Sequence, residues 1–320
     1  MPKCLWSPLS FSVSWGQTLP AVTFCGGFQL GSGKGRESRV IGMEIKMPQK
    51  TDVATDTLLL RYWNCSARGM LVRYMAYDAA LDFVDEIVSV EETFVGGSWA
   101  VKEKFAPEFS GPLKALPVVE HNGEIINQTS ACTQYVAELA GFMPEAPADR
   151  AKAIMICSHI YEDIQVPMWD SFWGWKDWER DVLGESGGPT SALALKISNL
   201  EQILAANPSG FAVGSKISIA DFAIFYVVES LTRRMLEVAS GPEAVEMLLG
   251  DKPAIAQHQT MMSARPNIAS YRKSDIWHVY GPYWTGKGTL EDRTHELGLG
   301  DTELEGFETL ASLLLRLPSA

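Results

Sequence analysis

From Thr57 onward the apolar positions follow two periods, and the switch between them organises the chain. Thr57–Trp63, TLLLRYW, is a short apolar and aromatic run and predicts a buried strand. After a loop at 64–68, Met70, Val72, Met75 and Ala76 fall at roughly helical spacing. Val84–Val90 reads as a second strand. Val118, Val119, Ile125 and Ile126 then give two β-branched runs around Asn122-Gly123, a pair that favours the positive backbone angles of a tight hairpin. Behind the hairpin, Cys132, Tyr135, Val136 and Leu139 sit at i, i+3, i+4 and i+7, the apolar face of a helix, with Thr129 or Ser130 as its expected N-cap. The predicted order is β-α-β, a connection, and β-β-α. The connection, 91–110, is irregular, with Gly96, Gly97 and Pro107 marking loops.

Gly141–Pro147, GFMPEAP, reads as a linker: a Gly past a helix end, then two prolines. Beyond it the pattern is helical. Ala151, Ile154, Met155 and Cys157–Ser158 open a long helix through Ile160 and Ile164. Residues 167–178 hold Trp169, Phe172, Trp173, Trp175 and Trp178, either core between helices or the wall of an apolar cleft with Met168 as an adaptable filler. Ala192–Ala206 resumes the helical register. Ser218-Ile219-Ala220-Asp221 is a capping box with Asp in place of Glu, and the nearly continuous apolar run behind it predicts a buried central helix. Residues 304–317 have an amphipathic look.

Composition narrows the classes. A length of 320 residues suggests two domains, and an apolar fraction of 46% is that of a globular protein. The net charge of −12 argues against nucleic-acid binding, which needs a basic surface. No apolar run approaches the roughly 20 residues of a membrane span. Five scattered cysteines without a C-x-x-C pair indicate neither a disulfide framework nor a metal site, and point to a reducing compartment. Residues 1–56 have no acid before Glu37 and are rich in Ser and Gly. That is the composition of an organelle transit peptide, for a plastid or mitochondrion; the alternatives are a disordered extension or a start at Met43 or Met47, with a cytoplasmic protein.

The chemistry concentrates where the hairpin meets its helix. A helix start presents unpaired amides and the positive end of a dipole, which suits a carboxylate or phosphate. Gln128 stands beside it with a donor and an acceptor. Pro117 opens the hairpin, where a cis bond is expected.

These residues carry a resemblance. LPVVEHNGEIINQTSACTQYVAEL at 116–139 resembles the end of the thioredoxin-like domain of glutathione S-transferases, with Gln128-Thr129 at the family's Gln-Ser. YWNCSARGMLVR at 62–73 resembles the family segment of the alpha and sigma classes: Tyr62 falls on the catalytic tyrosine, Arg68 on the second arginine and Arg73 on the helix arginine, while Ser66 and Leu71 depart from it. The 211–231 segment resembles the family's Ser-Ile-Ala-Asp helix, and RPNIASYRKSD at 265–275 its closing helix. The resemblance implies an α/β thioredoxin-like domain at 57–141 and an all-α domain at 148–275, flanked by extensions at 1–56 and 276–320. It implies glutathione as substrate and no metal. Pro117 and Val118 would meet its backbone, Gln128 and Thr129 its γ-glutamyl end, and Trp99 with Lys102 or Lys104 its glycine carboxylate. Met168, Trp169 and Phe172 would face a hydrophobic electrophile. A homodimer is implied, with His159 where the family places an acid that meets the γ-glutamyl amine across the interface.

The implied activity is conjugation of the glutathione thiolate, and the alternatives are a prostaglandin-synthase-like isomerase or a non-catalytic binding protein of the same fold. A thiol with a pKa of about 8.5 is mostly protonated at pH 7. A phenol aimed at the sulfur stabilises the anion, which is the role for Tyr62. Ser66 and Cys65 compete for it; a Cys there would form mixed disulfides with glutathione instead.

Overall fold

Strand β1, Leu58–Trp63, forms from six residues free of Gly and Pro, five of them buried. The computed structural model describes residues 57–63, 65–88, 106–168, 192–237 and 249–274, all within one compact unit, Met47–Ala320. Helix α1, Met70–Asp78, follows β1, and strand β2, Phe83–Val88, returns parallel to it, pairing Leu58 with Phe83 and Tyr62 with Ile87. A four-residue helix α2, Pro107–Ser110, precedes the hairpin of β3, Val118–His121, and β4, Glu124–Asn127. Asn122 and Gly123 take φ of 53° and 81°, the two positive angles that a two-residue hairpin turn demands. β3 lies antiparallel to β1, pairing Val119 with Leu60, and the sheet order is β2-β1-β3-β4. Helix α3, Thr129–Leu139, completes a thioredoxin-like half.

The helical half comprises α4, Pro147–Ser158, a π-helical turn at His159–Gln165, α5, Ala192–Ala206, α6, Ile219–Glu237, α7, Pro253–Ser263, and α8, Pro266–Arg272. α6 is the expected central helix. Every residue from Ile219 to Thr232 is buried, and each large apolar side chain so buried contributes about 1.5–3 kcal/mol. The linker is pinned rather than loose. Gly141 adopts φ 74°, the Phe142 amide donates back to the Ala137 carbonyl at 2.8 Å, and the Phe142 carbonyl accepts from the Ile219 amide at 2.9 Å.

Three details differ from the sequence reading. α3 takes Gln128 as its N-cap residue, at φ 73°, with no side chain capping it, so Thr129 is its first helical residue. α4 starts at Pro147, four residues early, and its continuation widens into the π turn rather than an unbroken α-helix. In the capping box the Asp221 carboxylate accepts from the Ser218 amide at 2.8 Å as expected, but the Ser218 hydroxyl donates to that same carboxylate at 2.9 Å instead of accepting from the Asp221 amide.

The two halves lock through α1. Tyr77 stacks on Tyr271 of α8, with centroids 4.0 Å apart, and Tyr74 packs against Phe225 of α6 while its hydroxyl meets the buried Glu229 carboxylate. Arg265 grips Asp78 with two nitrogens.

Candidate functional site

Helix α3 begins at the floor of a cleft. Thr129 and Ser130 line it from α3, Arg68 from the loop after β1, Tyr161 and Glu162 from the π turn, and Tyr226 from α6. The uncapped start of α3 supplies amides with no intrahelical acceptor and a positive dipole end. The Arg68 guanidinium lies 5.5 Å from the Tyr161 ring centroid and adds a cation beside them. Leu71, Ile154, Ile160 and Ile219 add apolar side chains to the lining. The lining therefore combines groups that suit a carboxylate with side chains that suit hydrocarbon. The cavity measures about 120 Å³, which holds part of a ligand; whole small-molecule sites are roughly 300–1,000 Å³.

Tyr62 stands behind this cleft rather than in its wall. It is fully buried, and its hydroxyl oxygen accepts the backbone amide of Arg68 at 3.0 Å. Arg73 lies 5.6 Å from its ring centroid. The loop crosses the ring so closely that a Cβ on Gly69 would come within 2.4 Å of it, which is why a glycine stands there. Burial holds the phenol pKa well above its ordinary value of 10.0; the neighbouring Cys65 pushes in the same direction, and the Arg68 amide opposes them. The phenol is accordingly neutral at physiological pH.

The rivals of Tyr62 are also enclosed. Ser66 is buried, and its hydroxyl has no partner among the described residues. Burial pushes the Cys65 thiol up from 9.0 to about 11, against the opposing pull of the Arg73 guanidinium, the Ala67 amide and the Tyr62 hydroxyl. A thiol in that state is a poor nucleophile at neutral pH. Cys65 is expected to resist iodoacetamide in native protein at pH 7.5 and to react on unfolding; rapid native alkylation, read by mass spectrometry, would contradict its enclosure. Its folded pKa exceeds the unfolded one, so the folded state holds the proton more tightly, and this contribution to stability falls as pH climbs from 9 toward 11.

The remaining predicted residues fall in different places. Arg68 and Thr129 line the cleft, and Gln128 is exposed immediately before Thr129. Pro117, cis as expected, and Val118 are buried in the sheet behind α3 and do not line the cleft. Met168 is fully buried in the core and does not line the cleft; among the described residues Leu71, Ile154, Ile160 and Ile219 supply its apolar surface. Trp99, Lys102, Lys104, Trp169 and Phe172 lie outside the described residues. His159 makes its bonds within its own chain, to Asp163 at 2.7 Å and toward the Lys196 carbonyl at 3.4 Å.

Sequence reasoning missed Tyr161, Glu162, Tyr226 and Asn127. The Asn127 amide donates to the Ser110 and Ala115 carbonyls at 2.8 and 2.7 Å, fixing the chain just before Pro117. Tyr226 is the hydroxyl-bearing aromatic in the apolar run of α6, and that mismatch was its one available signal.

Comparison with known proteins agrees with this arrangement. Residues 163–275 match the glutathione S-transferase C-terminal domain. A probable glutathione S-transferase of Caenorhabditis elegans is 25% identical over 181 residues, which cover 56% of this chain and 82% of the relative. A solved C. elegans glutathione S-transferase superposes with a TM-score of 0.53 over 67% of this chain and 96% of that one, at 19% identity. Prostaglandin synthase D of Nilaparvata lugens does so with a TM-score of 0.54 over 68% and 98%, at 16% identity, a likeness of fold. With the β2-β1-β3-β4 sheet, the open α3 start and the helical half packed on α1, the chain has the fold of the glutathione S-transferases, and its residues 163–275 match their C-terminal domain.

Proposed function

We propose that the protein is a glutathione transferase that joins the glutathione thiolate to hydrophobic electrophiles. The observation that carries this reading is the mixed lining of the cleft: the uncapped start of α3 and Arg68 together with the apolar Leu71, Ile154, Ile160 and Ile219. Glutathione brings two carboxylates and one ammonium. A carboxylate suits the amides at Thr129 and Ser130, with Gln128 beside them, and Glu162 offers the charge that suits the ammonium. Trp99 with Lys102 or Lys104 takes the glycine end. The sulfur then faces the apolar side chains, where an electrophile loses its water on entry. The thiolate forms the new carbon–sulfur bond, and the electrophile's leaving group departs with the displaced electron pair, or a proton completes an addition. Tyr62 stabilises the thiolate by donating its phenol hydrogen. The functional unit is a homodimer.

A second reading is a binding protein that kept the fold without turnover. It draws on the burial of Tyr62, which does not line the cleft. The likeness in fold to a prostaglandin synthase gives no reason to choose an isomerase. Retention on immobilised glutathione together with conjugation of a generic aryl halide is expected. Retention without conjugation would select the binding protein, and failure of both would remove glutathione from the account.

A further inference from the structure

Tyr226 sits on α6, and its hydroxyl donates to the carbonyls of Ser66 and Ala67, each 2.9 Å away and about 160 residues earlier in the chain. The Ala67 carbonyl and the Arg68 N–H belong to one peptide group. That N–H donates to the Tyr62 hydroxyl at 3.0 Å. A continuous line therefore runs from the Tyr226 O–H, through the Ala67–Arg68 peptide, to the Tyr62 oxygen. Hydrogen bonds in series polarise one another, by about 10–30% per bond. A peptide that accepts at its oxygen donates more strongly at its nitrogen. A stronger donor on the phenol oxygen makes the phenol a better hydrogen-bond donor to an anion.

The loop is held from other directions too. The Arg73 guanidinium donates to the Cys65 carbonyl at 2.7 Å, and the Met70 amide donates to the Ala67 carbonyl at 3.2 Å. Ser66 contributes no side-chain bond among the described residues. Removing the Tyr226 oxygen alone thus leaves the loop in place and interrupts the line at its origin.

We propose that Tyr226 is a positioning residue for the transferase reaction: it acts through the Ala67–Arg68 peptide to orient and polarise the Tyr62 phenol. This role rests on the transferase reading above. Its test is a double-mutant cycle with Tyr226→Phe and Tyr62→Phe. The single Tyr226→Phe change is expected to lower kcat by about 3–10-fold, the worth of one neutral hydrogen bond, and to move the alkaline rise of the kcat/KM profile to higher pH. In the Tyr62→Phe background the same change is expected to alter kcat by less than about 2-fold, because the residue it acts through is gone. Full additivity in the double variant, or no effect of Tyr226→Phe, overturns the role while the transferase stands. Absence of turnover in the unsubstituted protein overturns both, and is visible before any variant is made. Hydrogen exchange in the unsubstituted protein gives a check independent of any variant: the Arg68 amide is expected to exchange slowly, and fast exchange would break the line at its middle.

Discussion

Replacing Asp221 with alanine is expected to destabilise the protein by about 3–5 kcal/mol, the largest stability effect in the helical half. Asp221 is fully buried and accepts four hydrogen bonds: from the amides of Ala212 at 2.7 Å and Ser218 at 2.8 Å, from the Ser218 hydroxyl at 2.9 Å, and from His258 Nε2 at 3.1 Å. The substitution removes the acceptor and leaves the donors. The Ser218 hydroxyl can turn elsewhere, but two amides and a buried imidazole cannot, and each stranded donor costs about 1–3 kcal/mol. His258 is poorly placed to adapt, since its Nδ1 already lacks a partner among the described residues. For a unit of this size, roughly 2–4 °C of melting temperature follows each kcal/mol, so a fall on the order of 10 °C is expected. Urea and thermal unfolding followed by circular dichroism measure it. A loss below about 1 kcal/mol would show that the four bonds do not anchor α6.

Asp221 also marks where sequence reading stops. Its tie to Ser218 was legible because both partners lie within one helical turn. His258, 37 residues later, left no local sign; only the packing of α7 on α6 brings it in. The same divide runs through the rest of the fold. Asn122-Gly123 announced the hairpin because its geometry is intrinsic to those two residues. The π turn was invisible because Ile160 and Ile164, four apart, match an α-helical face just as well. At the site, Arg68 and Thr129 were legible from short local motifs. The enclosure of Tyr62 was not, because it depends on Gly69 crossing the ring and on α6 holding the loop from 160 residues away.

Changing Tyr62 to phenylalanine is expected to leave glutathione binding intact and to lower kcat by roughly 10–1,000-fold, the cost of deleting one donor aimed at a developing anion. The ring that packs against Trp63 and beneath Arg73 remains, so the core persists. The Arg68 amide loses its acceptor, which costs about 1–3 kcal/mol of stability and must be separated from the kinetic effect by assaying well below the variant's melting temperature. Binding survives because the carboxylate contacts proposed at Thr129, Ser130 and Arg68 do not involve the phenol. The thiol of bound glutathione should then titrate at higher pH, close to its value in solution, as read from thiolate absorbance. A variant with unchanged kcat and an unchanged thiol titration would take Tyr62 out of the mechanism, and leave Arg68 as the charged side chain on the cleft wall able to stabilise a thiolate.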